Sequence, residues 1–155
     1  MTAGSPASGA YVAIPSAATG SLYEVRFEYV SGTAVSGIEV VEIQEGYSKI
    51  KMQVRPEMMN GLGIVHGGIA FAFSDSAFAF ACNNRNNLSV ALDTSINFLK
   101  PVHVGDTLIA EAKELHNGRS TGLYQITITN QHHELVSYFK GNCFRTGKPV
   151  VKASL

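Results

Sequence analysis

The sequence predicts an α+β fold in which an antiparallel sheet of about five or six strands wraps around one long central helix. Three observations lead to this prediction. Residues 66–82 (HGGIAFAFSDSAFAFAC) carry apolar side chains on every side of a helical wheel, so a helix there must be buried all round. Segments of strand type precede and follow it. The chain of 155 residues fits one domain, so only a sheet is available to enclose the helix.

The first thirty residues differ in composition from the rest of the chain. Residues 1–21 are rich in Ala, Ser and Gly and contain Pro6 and Pro15, which is typical of a mobile tail. Residues 22–30 are mixed and predict either a short helix or an extended lead-in. We therefore expect a flexible N-terminal tail and lead-in over 1–30 and one folded domain over 31–155.

The folded domain begins with a predicted hairpin. Residues 38–43 and 47–54 are rich in β-branched and other apolar side chains and flank Gly46, which suits a turn. Residues 56–65 predict a loop, because Asn and Gly residues interrupt any regular pattern there. The central helix then starts at the end of this loop.

Strand patterns dominate after the helix. The polar run NNRNN over 83–87 ends the helix. Four strand-type segments then follow, at 88–99, 107–115, 121–129 and 135–144. A turn over 101–105 and a second turn at Asn117-Gly118 separate the first three of them. This spacing predicts an antiparallel meander.

Composition and charge argue against several classes of partner. Twelve basic and twelve acidic residues give a formal net charge of zero, so we expect neither a nucleic-acid nor a membrane partner. No run reaches about 18 apolar residues, and no signal-peptide pattern is present, so we expect a cytoplasmic protein. Cys82 and Cys143 are expected to be reduced thiols packed in the core. The scattered histidines lack metal-ligand spacing, so we expect no metal.

Asp75 lies in the middle of the apolar helix. Its helical neighbours are Phe71, Ala72, Phe78 and Ala79. Burying an unpaired carboxylate is unfavourable, so it is either hydrogen-bonded to strand backbone or a nearby hydroxyl, or it is functional. A desolvated carboxylate has a raised pKa, which suits a base or nucleophile that works near neutral pH.

His66-Gly67-Gly68 lies where the loop becomes the helix. The first amides of a helix have no acceptor within it and carry the positive end of its dipole. Glycines let a ligand approach this backbone closely, so the terminus could bind an anion or polarise a carbonyl oxygen. The other reading is a glycine-containing turn with a capping histidine.

The spacing of these two features favours a dimer. Asp75 lies nine residues beyond His66, which is about 13 Å along a helix and nearly on its opposite face. The two cannot meet around one substrate within a single straight helix. They can meet if two copies of the helix run antiparallel across a dimer axis, and this predicts at least a homodimer.

The stretch from Asn60 to Asp75, NGLGIVHGGIAFAFSD, resembles the signature of the phenylacetate-pathway (PaaI-type) hotdog thioesterases. Its pattern is Asn, six residues on His-Gly-Gly, and then Asp nine residues after the His. The continuation SAFAFACN and the strand INFLKPVHVGDTL are also similar to that family, and the resemblance covers roughly 37–147. It implies a hotdog fold, hydrolysis of acyl-coenzyme A, and dimers that pair into a homotetramer.

The resemblance also implies roles for single residues. Asp75 corresponds to the carboxylate that attacks the thioester or activates water, and Gly67 to the residue whose amide polarises the thioester carbonyl. His66 and Asn60 correspond to residues that orient the substrate and the hydrolytic water. No cofactor is implied, because coenzyme A is part of the substrate.

Coenzyme A binding is implied for two loops, 99–104 and 116–121. The implied substrate and coenzyme A contacts are Gly68, Leu99, Lys100, Pro101, His116, Asn117, Gly118 and Arg119. Of these, Lys100 and Arg119 are either phosphate partners or solvated surface charges. Phe71, Phe78 and Ala residues either line an acyl pocket that tolerates an aromatic or medium-length group or belong to the core.

One departure from the family and two alternative functions remain open. Some hotdog thioesterases carry a hydroxyl one helical turn after the carboxylate, where this chain has Ala79. A helping hydroxyl must then come from elsewhere, such as Ser89, Thr94 or Ser95. The alternatives are a non-catalytic acyl-coenzyme A binding protein and a hotdog dehydratase or hydratase, which would need a carboxylate and a histidine close together.

Overall fold

The computed structural model describes residues 11–15, 22–26 and 37–150. Its strands are β1 (Tyr11–Pro15), β2 (Leu22–Arg26), β3 (Glu39–Gln44), β4 (Tyr47–Gln53), β5 (Ser89–Phe98), β6 (Thr107–Asn117), β7 (Thr121–Thr129) and β8 (Leu135–Arg145). One α-helix, α1 (Gly67–Asn83), follows a short 3₁₀ turn at Pro56–Met58.

Six strands form one antiparallel sheet in the order β3-β4-β6-β7-β8-β5, and α1 packs against it. Along β7 every second residue is buried, as a strand with one face on a core requires. Phe73, Phe78 and Phe80 of α1 join these strand residues in a single apolar core. The predicted α+β hotdog architecture is therefore confirmed.

The position of β5 differs from the predicted meander. Strands β6, β7 and β8 do follow one another, but β5 pairs with β8 at the far edge, and β4 pairs with β6. Because the sheet curls around α1, the strand after the helix occupies the side opposite the strands before it. Segment spacing alone does not reveal this crossing.

Two strands lie within the predicted tail. Strand β1 pairs with β2 in an antiparallel hairpin, with Tyr11 opposite Arg26 and Pro15 opposite Leu22. The lead-in over 22–26 is therefore extended rather than helical. The other residues of 1–30 lie outside the described residues, so their predicted flexibility stays a prediction.

Phe78 anchors the helix to the sheet. Its ring is 1% exposed and makes edge contacts with Tyr124 at a centroid distance of 5.5 Å. A glycine at position 141 makes room for it, because a Cβ there would lie 2.8 Å from the ring. Of the two alternatives for Phe78, the structure supports a core residue. Phe71 packs on Phe139.

One face of α1 and one edge of the sheet remain open in the single chain. Gly68 and Ala72 are exposed, and Asp75 and Ala79 are half-buried, so the sheet of one copy alone does not bury the helix on every side. The outer edge of β5 pairs with no other described strand. This edge strand exposes the apolar side chains of Val90, Leu92 and Phe98, which are 50%, 59% and 57% accessible.

Candidate active site

The start of α1 leaves one backbone amide free. His66 caps the helix, because its Nδ1 accepts a hydrogen bond from the Gly68 amide at 2.9 Å. The His66 carbonyl accepts bonds from the amides of Ile69 and Ala70, at 2.9 and 3.4 Å. The Gly67 amide has no acceptor among the described residues. The N-terminus therefore offers one donor, at Gly67, to an incoming ligand.

A cavity of about 250 Å³ opens beside this free amide. It is lined by Asn60, Ile64, Val65, Gly67, Ala70, Phe98, Lys100, Pro101, Val102 and Ser137. The structure thus brings together four residues that the sequence analysis selected, from two segments far apart in the chain. Phe98 and Ser137 also line the cavity, and the sequence analysis did not select them. Their place beside Gly67 depends on the pairing of β5 with β8, which the sequence pattern does not show.

Asn60 shapes the loop that forms one wall of the cavity. Its side-chain oxygen accepts hydrogen bonds from the amides of Leu62, at 2.8 Å, and Ile64, at 3.4 Å. The side-chain NH₂ group has no partner among the described residues. Because the oxygen is held by the loop, the NH₂ group remains as a donor for a ligand or a water.

Asp75 does not line the cavity at the helix N-terminus. Its carboxylate has no hydrogen-bond partner within the described chain, and partial burial raises the pKa of this carboxyl group. A single chain therefore presents the two halves of the predicted site separately. The free amide opens into the cavity, while the carboxylate lies on the open face of α1.

The two predicted coenzyme A loops lie at opposite ends of the sheet. Phe98, which precedes loop 99–104, pairs with Ser137, whereas Arg145 bonds to Asn117 of the other loop at 2.6 Å. The strands between these ends are about 30 Å long. One chain therefore cannot apply both loops to one coenzyme A molecule at a single site.

The predicted loop contacts have different surroundings. Lys100 forms an ion pair with Glu134 at 2.7 Å and is half exposed, at the cavity. Leu99 is exposed, as are His116 and Arg119. The Gly118 amide donates to Thr121 in the turn. Of the two candidate phosphate partners, Lys100 thus already makes an exposed ion pair with a carboxylate.

A buried polar network occupies the end of the sheet remote from the cavity. Glu114 accepts hydrogen bonds from Arg85 at 2.7 Å and from Tyr124 at 2.6 Å. Arg145, whose side chain is 3% exposed, lies 3.4 Å from the same carboxylate. Burial alone would raise the pKa of Glu114, but the bonds from Arg85 and Tyr124 hold it below its usual value.

No group of three or more His, Cys, Asp or Glu side chains within residues 37–150 could hold a metal ion. The helix of this region, α1, is neither long nor apolar enough to cross a membrane.

Comparison with known proteins decides the family. A family profile described as "Thioesterase superfamily" matches residues 62–137. The acyl-coenzyme A thioesterase PaaI of Escherichia coli is 41% identical over 111 residues, which cover 72% of this chain and 79% of PaaI. This chain belongs to the PaaI-type thioesterases. The family match includes Gly67 and Asp75, and Asn60 lies just before it.

Solved structures of PaaI-type and related proteins share this fold. The structure of E. coli PaaI superposes with a TM-score of 0.77 at 38% identity, over 79% of this chain and 89% of that one. A Streptococcus mutans protein bound to acetyl-coenzyme A superposes with a TM-score of 0.70 at 30% identity, over 72% of this chain and 90% of its own.

Proposed function

We propose that this thioesterase hydrolyses acyl-coenzyme A to a free acid and coenzyme A. The observation that carries the proposal is the free Gly67 amide at the mouth of a cavity, in a chain that also holds an unpartnered carboxylate on the same helix. Its relatives support the substrate class, since E. coli PaaI is an acyl-coenzyme A thioesterase and the S. mutans protein is bound to acetyl-coenzyme A.

The site is proposed to form between two copies of the chain. Edge strand β5 of one copy pairs with β5 of the other, which covers the exposed apolar side chains and satisfies the open backbone edge. The two helices then run antiparallel, and Asp75 of one copy faces Gly67 of its partner. Two such dimers are proposed to pair into a tetramer.

The proposed reaction uses the helix terminus as an oxyanion site. The Gly67 amide donates to the thioester carbonyl oxygen and stabilises the negative charge that develops there. Asp75 either attacks the carbonyl carbon or removes a proton from an attacking water, and the carbon–sulfur bond breaks to release coenzyme A thiolate. In the first route the acyl group is left on Asp75 as a mixed anhydride, which water then hydrolyses to the free acid and the original carboxylate. His66 fixes the terminus by capping it, and the NH₂ group of Asn60 orients substrate or water.

The size of the cavity suggests the acyl group, and the two loops suggest where coenzyme A binds. A cavity of about 250 Å³ accommodates a phenyl ring with a short linker, since about 150 Å³ holds benzene. The loops 99–104 and 116–121 are proposed to bind coenzyme A from different copies of the chain. The reaction needs no cofactor, and on the sequence grounds above we propose that it takes place in the cytoplasm.

Release of free thiol tests the function. Purified protein is incubated with aromatic and aliphatic acyl-coenzyme A substrates and a thiol reagent. We expect Asp75→Asn to lower kcat by at least about 100-fold, since a general base or nucleophile is removed. Glu39→Gln, the same chemical change at an exposed ion pair of β3, should not affect kcat.

Two results would contradict this proposal. Hydrolysis by Asp75→Asn at the wild-type rate would remove Asp75 from the reaction. Hydration of an enoyl-coenzyme A without thiol release would replace hydrolysis by the hydratase alternative.

A further inference from the structure

Ser137 is a buried polar residue that the proposed reaction does not yet use. Its side chain lines the cavity beside Gly67, although the residue is only 3% exposed. Its hydroxyl makes no hydrogen bond with any described residue. Because the residue is almost fully buried, the cavity is the place where this hydroxyl can find a hydrogen-bond partner. An unpartnered hydroxyl that lines a cavity indicates that a bound ligand supplies its hydrogen-bond partner.

The register of the sheet places this hydroxyl on the side of the helix terminus. Ser137 of β8 lies directly opposite Phe98 of β5 and Ile128 of β7. Residues directly opposite each other in an antiparallel sheet project to the same face. Ile128 is fully buried in the core, and the Phe98 ring lies so near Gly67 that a Cβ there would be 3.0 Å from it. Ser137 therefore projects toward the same space as the free amide.

The other residues that line the cavity do not offer a buried hydrogen-bond donor on the sheet side. Lys100 is held by Glu134 and is half exposed, so it lies toward solvent. The carbonyl oxygen of Asn60 is occupied by its own loop. The buried walls are apolar, with Val65, Ala70 and Val102 each less than 9% exposed. Ser137 thus supplies the hydroxyl donor on the sheet side of the cavity, opposite the amide donor on the helix.

We propose that the Ser137 hydroxyl donates a second hydrogen bond to the thioester carbonyl oxygen that the Gly67 amide binds. This inference rests on the proposed function. A carbonyl oxygen has two lone pairs and can accept from both donors at once. As the oxygen gains negative charge, both bonds strengthen, so Ser137 contributes more in the transition state than in substrate binding.

The inference is tested with two unreactive coenzyme A analogues. One is a ketone, in which a CH₂ group replaces sulfur and the carbonyl remains. The other is a thioether, in which the carbonyl is replaced by CH₂. Calorimetry gives the Kd of each for wild type and Ser137→Ala. We expect the variant to bind the ketone about three- to tenfold more weakly and the thioether unchanged. With substrate, kcat should fall at least about tenfold at a similar KM.

Two further variants separate this role from a structural one. Ser137→Thr keeps the hydroxyl and should keep the wild-type ratio of the two Kd values. Ser48→Ala removes another buried hydroxyl, which donates to the Ala77 carbonyl at 2.6 Å. It should lower thermal stability and leave the ratio unchanged.

Equal weakening of both analogues by Ser137→Ala, or no weakening of either, would overturn the role of Ser137. A shifted ratio in Ser48→Ala would overturn it too, because the effect would then not be local. Failure of the wild-type protein to bind either analogue would instead overturn the proposed function.

Discussion

Asp75 combines partial burial with the absence of any partner in the described chain, and these two facts set its behaviour with pH. Desolvation disfavours the charged carboxylate and raises its pKa in the folded state above the ordinary 3.8. Below pH 3.8 the group is protonated in both states and has no effect on stability. As the pH rises toward the raised pKa, the unfolded chain ionises first, so stability falls and then levels off.

Replacement of Asp75 by Asn should therefore stabilise the protein while it removes activity. The amide carries no charge to desolvate, so the melting temperature at pH 7 should exceed that of wild type by a few degrees. The difference should shrink as the pH is lowered past the raised pKa and vanish below pH 3.8. Differential scanning calorimetry at several pH values measures this. A variant less stable than wild type at pH 7 would contradict the assignment of Asp75 as an unpaired, desolvated group.

Candidate site residues can be selected from the sequence where chemistry alone distinguishes them. Asp75 is conspicuous because a carboxylate is costly in an apolar helix, and Gly67 because glycines at a helix start expose amides. The His66 cap is observed, and because it engages the Gly68 amide it leaves the Gly67 amide available for the proposed function. Ser137 was not predictable, since nothing in its own segment distinguishes it. Its significance depends on its being opposite Phe98, which is a property of the sheet.

Among the elements, strands β6, β7 and β8 and the segment that follows α1 are held together by Glu114. This carboxylate, 13% exposed, accepts from Arg85 and Tyr124 and lies beside the buried Arg145. Removing one member of a buried charge network leaves the others desolvated without compensation. The network is also remote from the cavity, so its contribution is to stability.

Glu114→Gln should lower the free energy of unfolding by about 3 kcal/mol at pH 7. Since the folded pKa is lowered, this contribution is present above the ordinary value of 4.5 and is lost as the pH falls through the lowered pKa. Urea denaturation measures both effects, and the variant should lack that part of the acid dependence. Glu39→Gln breaks an exposed ion pair with Lys51 and should cost at most about 1 kcal/mol. Equal losses in the two variants would contradict the role of the network.

The elements themselves were largely predictable and their arrangement was not. The helix predicted over 66–82 spans Gly67–Asn83, and the strand predicted over 121–129 is observed with the same limits. Periodicity reports the local conformation and the buried face, so it finds elements well. It carries no information about which strands pair, and this is why the edge position of β5 was missed.

At the scale of the whole molecule, the proposed site takes its two halves from different copies of the chain. Asp75→Asn removes the carboxylate, and Gly67→Ala narrows access to the free amide with a Cβ placed 3.0 Å from Phe98. In a mixed dimer, one site carries both defects and the other carries neither.

Mixing the two inactive variants should therefore restore activity. Half of randomly assorted dimers are mixed and each has one intact site, so about a quarter of wild-type activity is expected. The variants are unfolded, mixed, refolded together and assayed for thiol release. Each variant refolded alone is the control and should stay inactive. No recovery in a mixture whose dimers are shown to exchange would place both groups of a site in one chain.

The unpaired edge of β5 affects the folding of each newly synthesised chain. Before it meets a second copy, a newly made chain exposes the ten-residue strand β5, with apolar side chains and backbone groups that lack hydrogen-bond partners. Such a strand adheres to any similar strand nearby. Translation of several copies from one messenger RNA places a second copy of the chain, the proposed partner of β5, nearby at high local concentration. An isolated newly made chain would instead depend on chaperones to keep the edge of β5 from starting aggregation.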